Sequence, residues 1–136
     1  MSYENIFDKS YERALQANID GNDIFDDFYV RFINASPEVR QKFSKTDMPH
    51  QKRMLRKSFY SLLVFYGSNS ADDYLNKMVE KHNALGAHIP HAMYDLWLDC
   101  LVESVQVYDP EYTPEVGLAW RLVLSSGITY MKYKSA

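Results

Sequence analysis

The sequence predicts an all-α fold of six to eight helices in one domain spanning residues 1–136, and three observations predict it. Apolar residues recur at three- and four-residue intervals along nearly the whole chain, strand-like alternation is missing, and Gly, Pro and capping residues cut the chain into helix-sized pieces. Ile6, Phe7, Tyr11, Ala14 and Leu15 form the first apolar stripe, which stops near Asp20-Gly21. Ile24, Phe25, Phe28, Tyr29, Phe32 and Ile33 form the second, on one broad face. Ser36-Pro37-Glu38 then reads as N-cap, first helical position and acidic first turn of a short helix through Val39, ending near Phe43. Thr46 or Asp47 caps the next helix, which turns Met48, Gln51, Leu55, Phe59, Leu62 and Leu63 inward until Gly67-Ser68-Asn69 breaks it.

Ser70-Ala71-Asp72-Asp73 resembles a capping box with Asp in the place of Glu. The helix it opens carries Leu75, Met78, Val79, His82 and Leu85 on one face, and Gly86 stops it. Pro90 starts a long helix with Met93, Leu96, Trp97, Cys100, Leu101, Ser104, Val105 and Tyr108, ended by Asp109-Pro110. Thr113 and Pro114 cap and open the last helix, with Val116, Ala119, Trp120, Val123, Leu124, Gly127, Ile128 and Met131 inward.

Bulk chemistry narrows the function classes. A chain of 136 residues with 46% hydrophobic and 24% charged side chains can bury a core large enough to enclose a ligand. The net charge of −3 and the absence of a dense Lys/Arg block argue against a nucleic-acid partner. No apolar stretch approaches the roughly 20 residues that span a bilayer, so membrane insertion is not expected. Cys100 is the single cysteine, which excludes an intrachain disulfide and a cysteine-based zinc site. With no basic flank or apolar run at Met1-Ser2-Tyr3-Glu4, a cytoplasmic location is the expectation. Eleven Tyr and seven Phe suit a pocket for a flat apolar ligand and equally an ordinary helical core.

Among the four histidines, His82 stands apart. His50 sits in a polar helix start and His88 and His91 flank Ile89-Pro90, whereas His82 falls on an apolar stripe seven residues after Leu75. A buried imidazole needs partners for both nitrogens, and two arrangements supply them. One is a hydrogen-bonded core histidine; the other is a haem iron on one nitrogen and a carbonyl of the preceding turn on the other. A zinc site from His82, His88 and His91 is the rival metal reading, and it lacks an i, i+4 pair and a carboxylate at ligand spacing.

An ordered set of short motifs carries a family resemblance. Phe28-Tyr29, then Ser36-Pro37-Glu38-Val39-Arg40 and Phe43, resemble the bacterial haemoglobins of the single-domain Vitreoscilla type and the globin domain of flavohaemoglobins. Gln51 followed by Leu55 resembles their distal helix, His82-Asn83-Ala84-Leu85-Gly86 their proximal helix end, and Ala119-Trp120 their last helix. The resemblance runs from about Ile6 to Tyr133.

It implies a globin fold around haem b, with His82 as proximal iron ligand and Phe43 packed on the haem face. It further implies Tyr29 and Gln51 as the distal polar pair, Leu55 as the distal apolar wall and Met78 as the proximal one. Phe28, Met54, Ile89 and Tyr94 join the expected haem-contacting set. The implied function is reversible binding of dioxygen, with CO or NO as further ligands, for oxygen transport or storage. Nitric oxide dioxygenation with a separate reductase, a haem-based gas sensor and a haem-free helical interaction domain are the competing functions. A monomer or a homodimer suits the first of these.

Departures from the family are specific. The segment between Phe43 and Gln51 is shorter, which leaves His50 or Arg53 as alternatives for the distal position. Flavohaemoglobins link a Tyr and a Glu to the proximal His. Tyr94 matches that Tyr, but the place of the Glu falls near Ser135, and no acid follows Glu115 in the last helix. No reductase domain is contained in these residues.

Overall fold

The computed structural model describes residues 2–68, 75–77, 79–80 and 89–134. Six helices lie wholly within them: α1 (Tyr3–Gln16), α2 (Ile24–Ala35), α3 (Pro37–Lys42), α4 (Met48–Ser68), α5 (His91–Tyr108) and α6 (Pro114–Lys134). Residues 75–77 and 79–80 are helical too, where the sequence places the helix bearing His82. Met78, His82, Leu85 and His88 lie outside the described residues. Among the described residues, non-helical pairing is limited to one isolated bridge between Ile19 and Asn22. No helix among them is long and apolar enough to cross a membrane.

The caps explain most of the helix boundaries. Ser2 accepts from the Asn5 N–H at 3.2 Å to start α1. Asp20 and Gly21 take positive φ, 53° and 83°, to turn the chain between α1 and α2. Asp23 and Asp26 form a reciprocal capping box at the start of α2. That box is written in the sequence as Asp-x-x-Asp, which shares its closing Asp with the Ser-x-x-Asp of Ser70 to Asp73. Ser36 accepts from the Glu38 and Val39 N–H groups, with Pro37 as first helical residue, as expected for α3. Of the two candidates before α4, Asp47 is the cap: it accepts from the His50 N–H at 3.3 Å. Thr113 accepts from the Val116 N–H at 3.3 Å to open α6. Pro90 is the N-cap residue of α5 and not its first helical residue.

Packing follows the stripes. α2 crosses α5, α6 lies against α1, α4 and α5, and α3 tucks beside α2. Trp120 is fully buried, with the Phe7 ring edge-on at 4.6 Å and the Phe59 ring at 5.9 Å, so one indole joins α1, α4 and α6. At Gly127 a Cβ would run into the Leu62 side chain, so α4 and α6 approach closely there and a larger residue would force that leucine to shift.

The far end of the molecule is held by a buried acid. Asp109 follows α5 and is 2% exposed. It accepts from Ser10 Oγ at 2.6 Å, from Arg13 Nε at 2.7 Å, from Arg13 Nη2 at 2.9 Å and from the Glu111 N–H at 2.9 Å. Ser10 Oγ in turn accepts from Trp120 Nε1 at 2.9 Å. Burial pushes the Asp109 carboxyl up, but Arg13, Ser10 and the Glu111 N–H outweigh it and hold the pKa below the usual carboxylate value. The expected helix stop at Asp109-Pro110 is therefore also a clamp joining α1, α5 and α6.

Candidate functional site

The residues expected to face a cofactor from above come from α2, the turn after α3 and α4. α2 presents Phe28 and Tyr29 inward because they fall at the centre of its apolar face; they are 0% and 4% exposed. Phe43 caps α3 with its backbone N–H bonded to Val39 and Gln41, which sends the ring back over α2. It meets Tyr29 edge-on at 5.7 Å and Phe32 at 5.9 Å. Phe28 lies edge-on to Tyr29 at 4.8 Å and to Trp97 of α5 at 5.8 Å. These rings form a continuous aromatic wall.

Gln51 supplies the polar partner. Gln51 lies near the Tyr29 hydroxyl, and Leu55, one turn on, is buried on the same face of α4. Burial pushes the Tyr29 phenol up to about 12, with Gln51 pulling the other way. At neutral pH Tyr29 is therefore a neutral hydroxyl with a proton to donate. Of the alternatives to Gln51, His50 and Arg53 are both exposed. The structure thus brings Gln51, and neither of the other two, to Tyr29. Met54 is half-buried beside Leu55.

On the solvent side of Tyr29 lies an open cleft of about 230 Å³, with Asp26, Val30, Met48 and Lys52 among its lining residues. Lys52 and Asp26 form an ion pair there. The cleft is smaller than the roughly 300–1,000 Å³ of pockets that enclose drug-sized ligands. Sequence reading missed both partners: the Asp26 capping pattern was available to it, but the pairing with a lysine on another helix was not.

From α5, Tyr94 is 7% exposed and its hydroxyl has no hydrogen-bond partner among the described residues. An unpartnered buried hydroxyl is costly and rare in a finished protein interior. Ile89 is half-buried and packs against the core. His91, the described member of the rival zinc triad, is exposed at the start of α5. Met78 and His82 lie outside the described residues, so the proximal side remains an expectation of the resemblance.

The described residues fit haem in chemistry. An aromatic and aliphatic wall suits the flat macrocycle, the Tyr29–Gln51 pair suits a polar ligand at its centre, and Tyr94 retains an unused donor.

The whole chain matches a solved structure. A protein from Pseudomonas aeruginosa PAO1, whose crystal structure is described as structurally highly homologous to a human hemoglobin, aligns with a TM-score of 0.88 and 33% sequence identity. The match covers 99% of this chain and 100% of that one. No protein-family model matches the chain, and no curated protein does. Identity at this level over full length, with the helix order described above, shows that the chain belongs to the bacterial globins.

Proposed function

We propose that this globin holds haem b through His82 and binds dioxygen, or another diatomic gas, reversibly. The observation that carries the reading is the buried Tyr29 hydroxyl with Gln51 beside it, set among Phe28, Phe43 and Leu55 in a globin fold. When bound, haem b supplies an iron with one coordination position open to a small ligand. The chain's own residues decide what that position favours. His82 would offer an imidazole nitrogen to the iron, with Met78 beside it, as the family resemblance implies. Phe28, Phe43 and Leu55 exclude water from the opposite side.

Tyr29 keeps its proton because burial disfavours the phenolate, so its hydroxyl can donate to a ligand that gathers negative charge, as dioxygen does on ferrous iron. Gln51 orients that hydroxyl and has its own amide N–H to offer. Each net hydrogen bond contributes on the order of 0.5–1.5 kcal/mol, so the pair slows ligand release by roughly one to two decades. The unpartnered Tyr94 hydroxyl supports the reading from the other side, as a donor left for the haem or its proximal ligand.

Absorption spectra of the ferric, ferrous and CO-bound protein test the proposal. A red protein with a strong Soret band and a stable ferrous dioxygen complex is the expected outcome. A colourless protein that ignores added haemin overturns it.

A further inference from the structure

The charge of this chain is distributed unevenly. α3 and the turn after it hold Arg40, Lys42 and Lys45, and α4 holds Lys52, Arg53, Arg56 and Lys57; the single acid among residues 40–57 is Asp47. Seven of the fifteen basic side chains thus sit in eighteen residues, leaving eight basic against seventeen acidic side chains elsewhere. The cations are interleaved with apolar residues, so no dense run appears along the chain. Folding brings those of α4 onto its outward face.

On α4, Leu55, Phe59 and Leu62 are buried, while Arg53, Arg56, Lys57 and Tyr60 are all exposed at three- and four-residue spacing on the opposite face. Tyr60 is 73% exposed.

These charges do not serve the helix. α4 contains no Asp or Glu, and its first turn lacks the acids that a helix N-terminus favours. Lys52 with Arg56 and Arg53 with Lys57 are like-charged i, i+4 pairs, which oppose helix formation. Among the described residues, Lys52 is the α4 cation with an ion-pair partner, Asp26, and Arg56 lies over the Phe25 ring at 5.1 Å. The outward face of α4 is therefore positive without compensation from within the fold.

We propose that this face is the docking surface for an acidic electron-carrier protein, a flavin or iron–sulfur reductase component. Three observations select that occupant. The positive face requires a negative partner. An extended polyanion such as DNA, or a membrane sheet, would also press against the strongly acidic remainder of the chain, whereas a compact acidic patch would not. An exposed tyrosine amid the cations supplies the aromatic anchor common at protein interfaces.

The position is functional as well. The inner side of the same helix carries Gln51 and Leu55, so a docked carrier stands about one helix diameter, roughly 10 Å, from the candidate gas site. The proposal rests on the haem reading. One electron leaves the reduced carrier and is taken up by ferric iron, which becomes ferrous, with no bond made or broken in the protein.

The test uses full-length haem-loaded protein and, as probe, an acidic plant-type [2Fe–2S] ferredoxin. Affinity is measured calorimetrically and reduction by stopped flow, each at low and physiological salt. The expected result is binding that weakens at least tenfold with the salt increase, because exposed charges are screened over about 8 Å at physiological ionic strength. The doubly reversed Arg53→Glu/Lys57→Glu variant should lose a further tenfold or more at low salt, whereas Lys9→Glu, on α1, changes little. Salt-independent binding, an unaffected double variant, or tighter capture of duplex DNA or anionic vesicles overturns the proposal. Reduction by dithionite and the Soret spectrum report separately on the haem reading: if both are normal while the ferredoxin arm fails, only the docking surface is lost.

Discussion

Two buried polar clusters in this globin are built on opposite terms. At Asp109 the carboxylate and the hydroxyl beside it are spent on other protein atoms: the carboxylate takes bonds from Ser10, Arg13 and the Glu111 N–H, and Ser10 takes one from Trp120. Around Tyr29 the polar groups are sparse and set in aromatic surroundings, and on α5 the Tyr94 hydroxyl is left without a partner. A saturated cluster can only hold helices together. An unsaturated one has capacity for a ligand.

The largest expected effect falls on the ligand side. His82→Ala should abolish haem retention, read as loss of the Soret band after desalting, while the apo fold keeps its helical circular dichroism. Haem that stays bound in this variant would dissolve the distinction, since the iron would then have another ligand.

Next in size is Asp109→Asn, which leaves the Arg13 guanidinium without its counter-charge. We expect a loss of about 2–3 kcal/mol, less than the roughly 3–5 kcal/mol of a fully enclosed pair because Arg13 is partly solvated. The carboxyl has a lowered folded pKa, so its contribution is present above the unfolded value of 3.8 and disappears as pH falls below it. Wild type should accordingly lose stability on acidification through that range more steeply than the variant, as measured by urea titration at several pH values.

Tyr29→Phe should speed dioxygen dissociation about tenfold, the equivalent of one net hydrogen bond, with little change in apo stability. Flash photolysis and stopped-flow displacement measure it. Tyr29 also ionises near 10 when unfolded and near 12 when folded, so the unfolded chain releases the proton first and stability declines as pH rises between them. Gln51→Leu removes the neighbour that favours the phenolate and should move that titration higher still.

Tyr94→Phe gives the smallest and sharpest contrast. Deleting an unpartnered hydroxyl should raise apo stability by about 1 kcal/mol while weakening haem retention. The corresponding change at Ser10, whose hydroxyl is fully bonded, should only destabilise.

Much of this was legible before folding. The stripes of α1, α2 and α6 and the Ser36-Pro37 start of α3 all depend on neighbours within one or two helical turns, which periodicity and spacing encode. Three things were not legible. Asp109 read as a helix stop, because its partners Ser10 and Arg13 are almost a hundred positions away. The choice of Gln51 over His50 and Arg53 depended on the rotation of α4 about its axis, and packing against α6 sets that rotation. The cationic face read as scattered charge, because its members alternate with core residues.

The sequence by itself determined the all-helical class and the helix order, since helix formation and capping are local and a 3.6-residue period displays a buried face directly. Only the tertiary structure decided which polar groups would find partners, which would be left open and where charge would gather, because those depend on contacts between segments far apart in the chain.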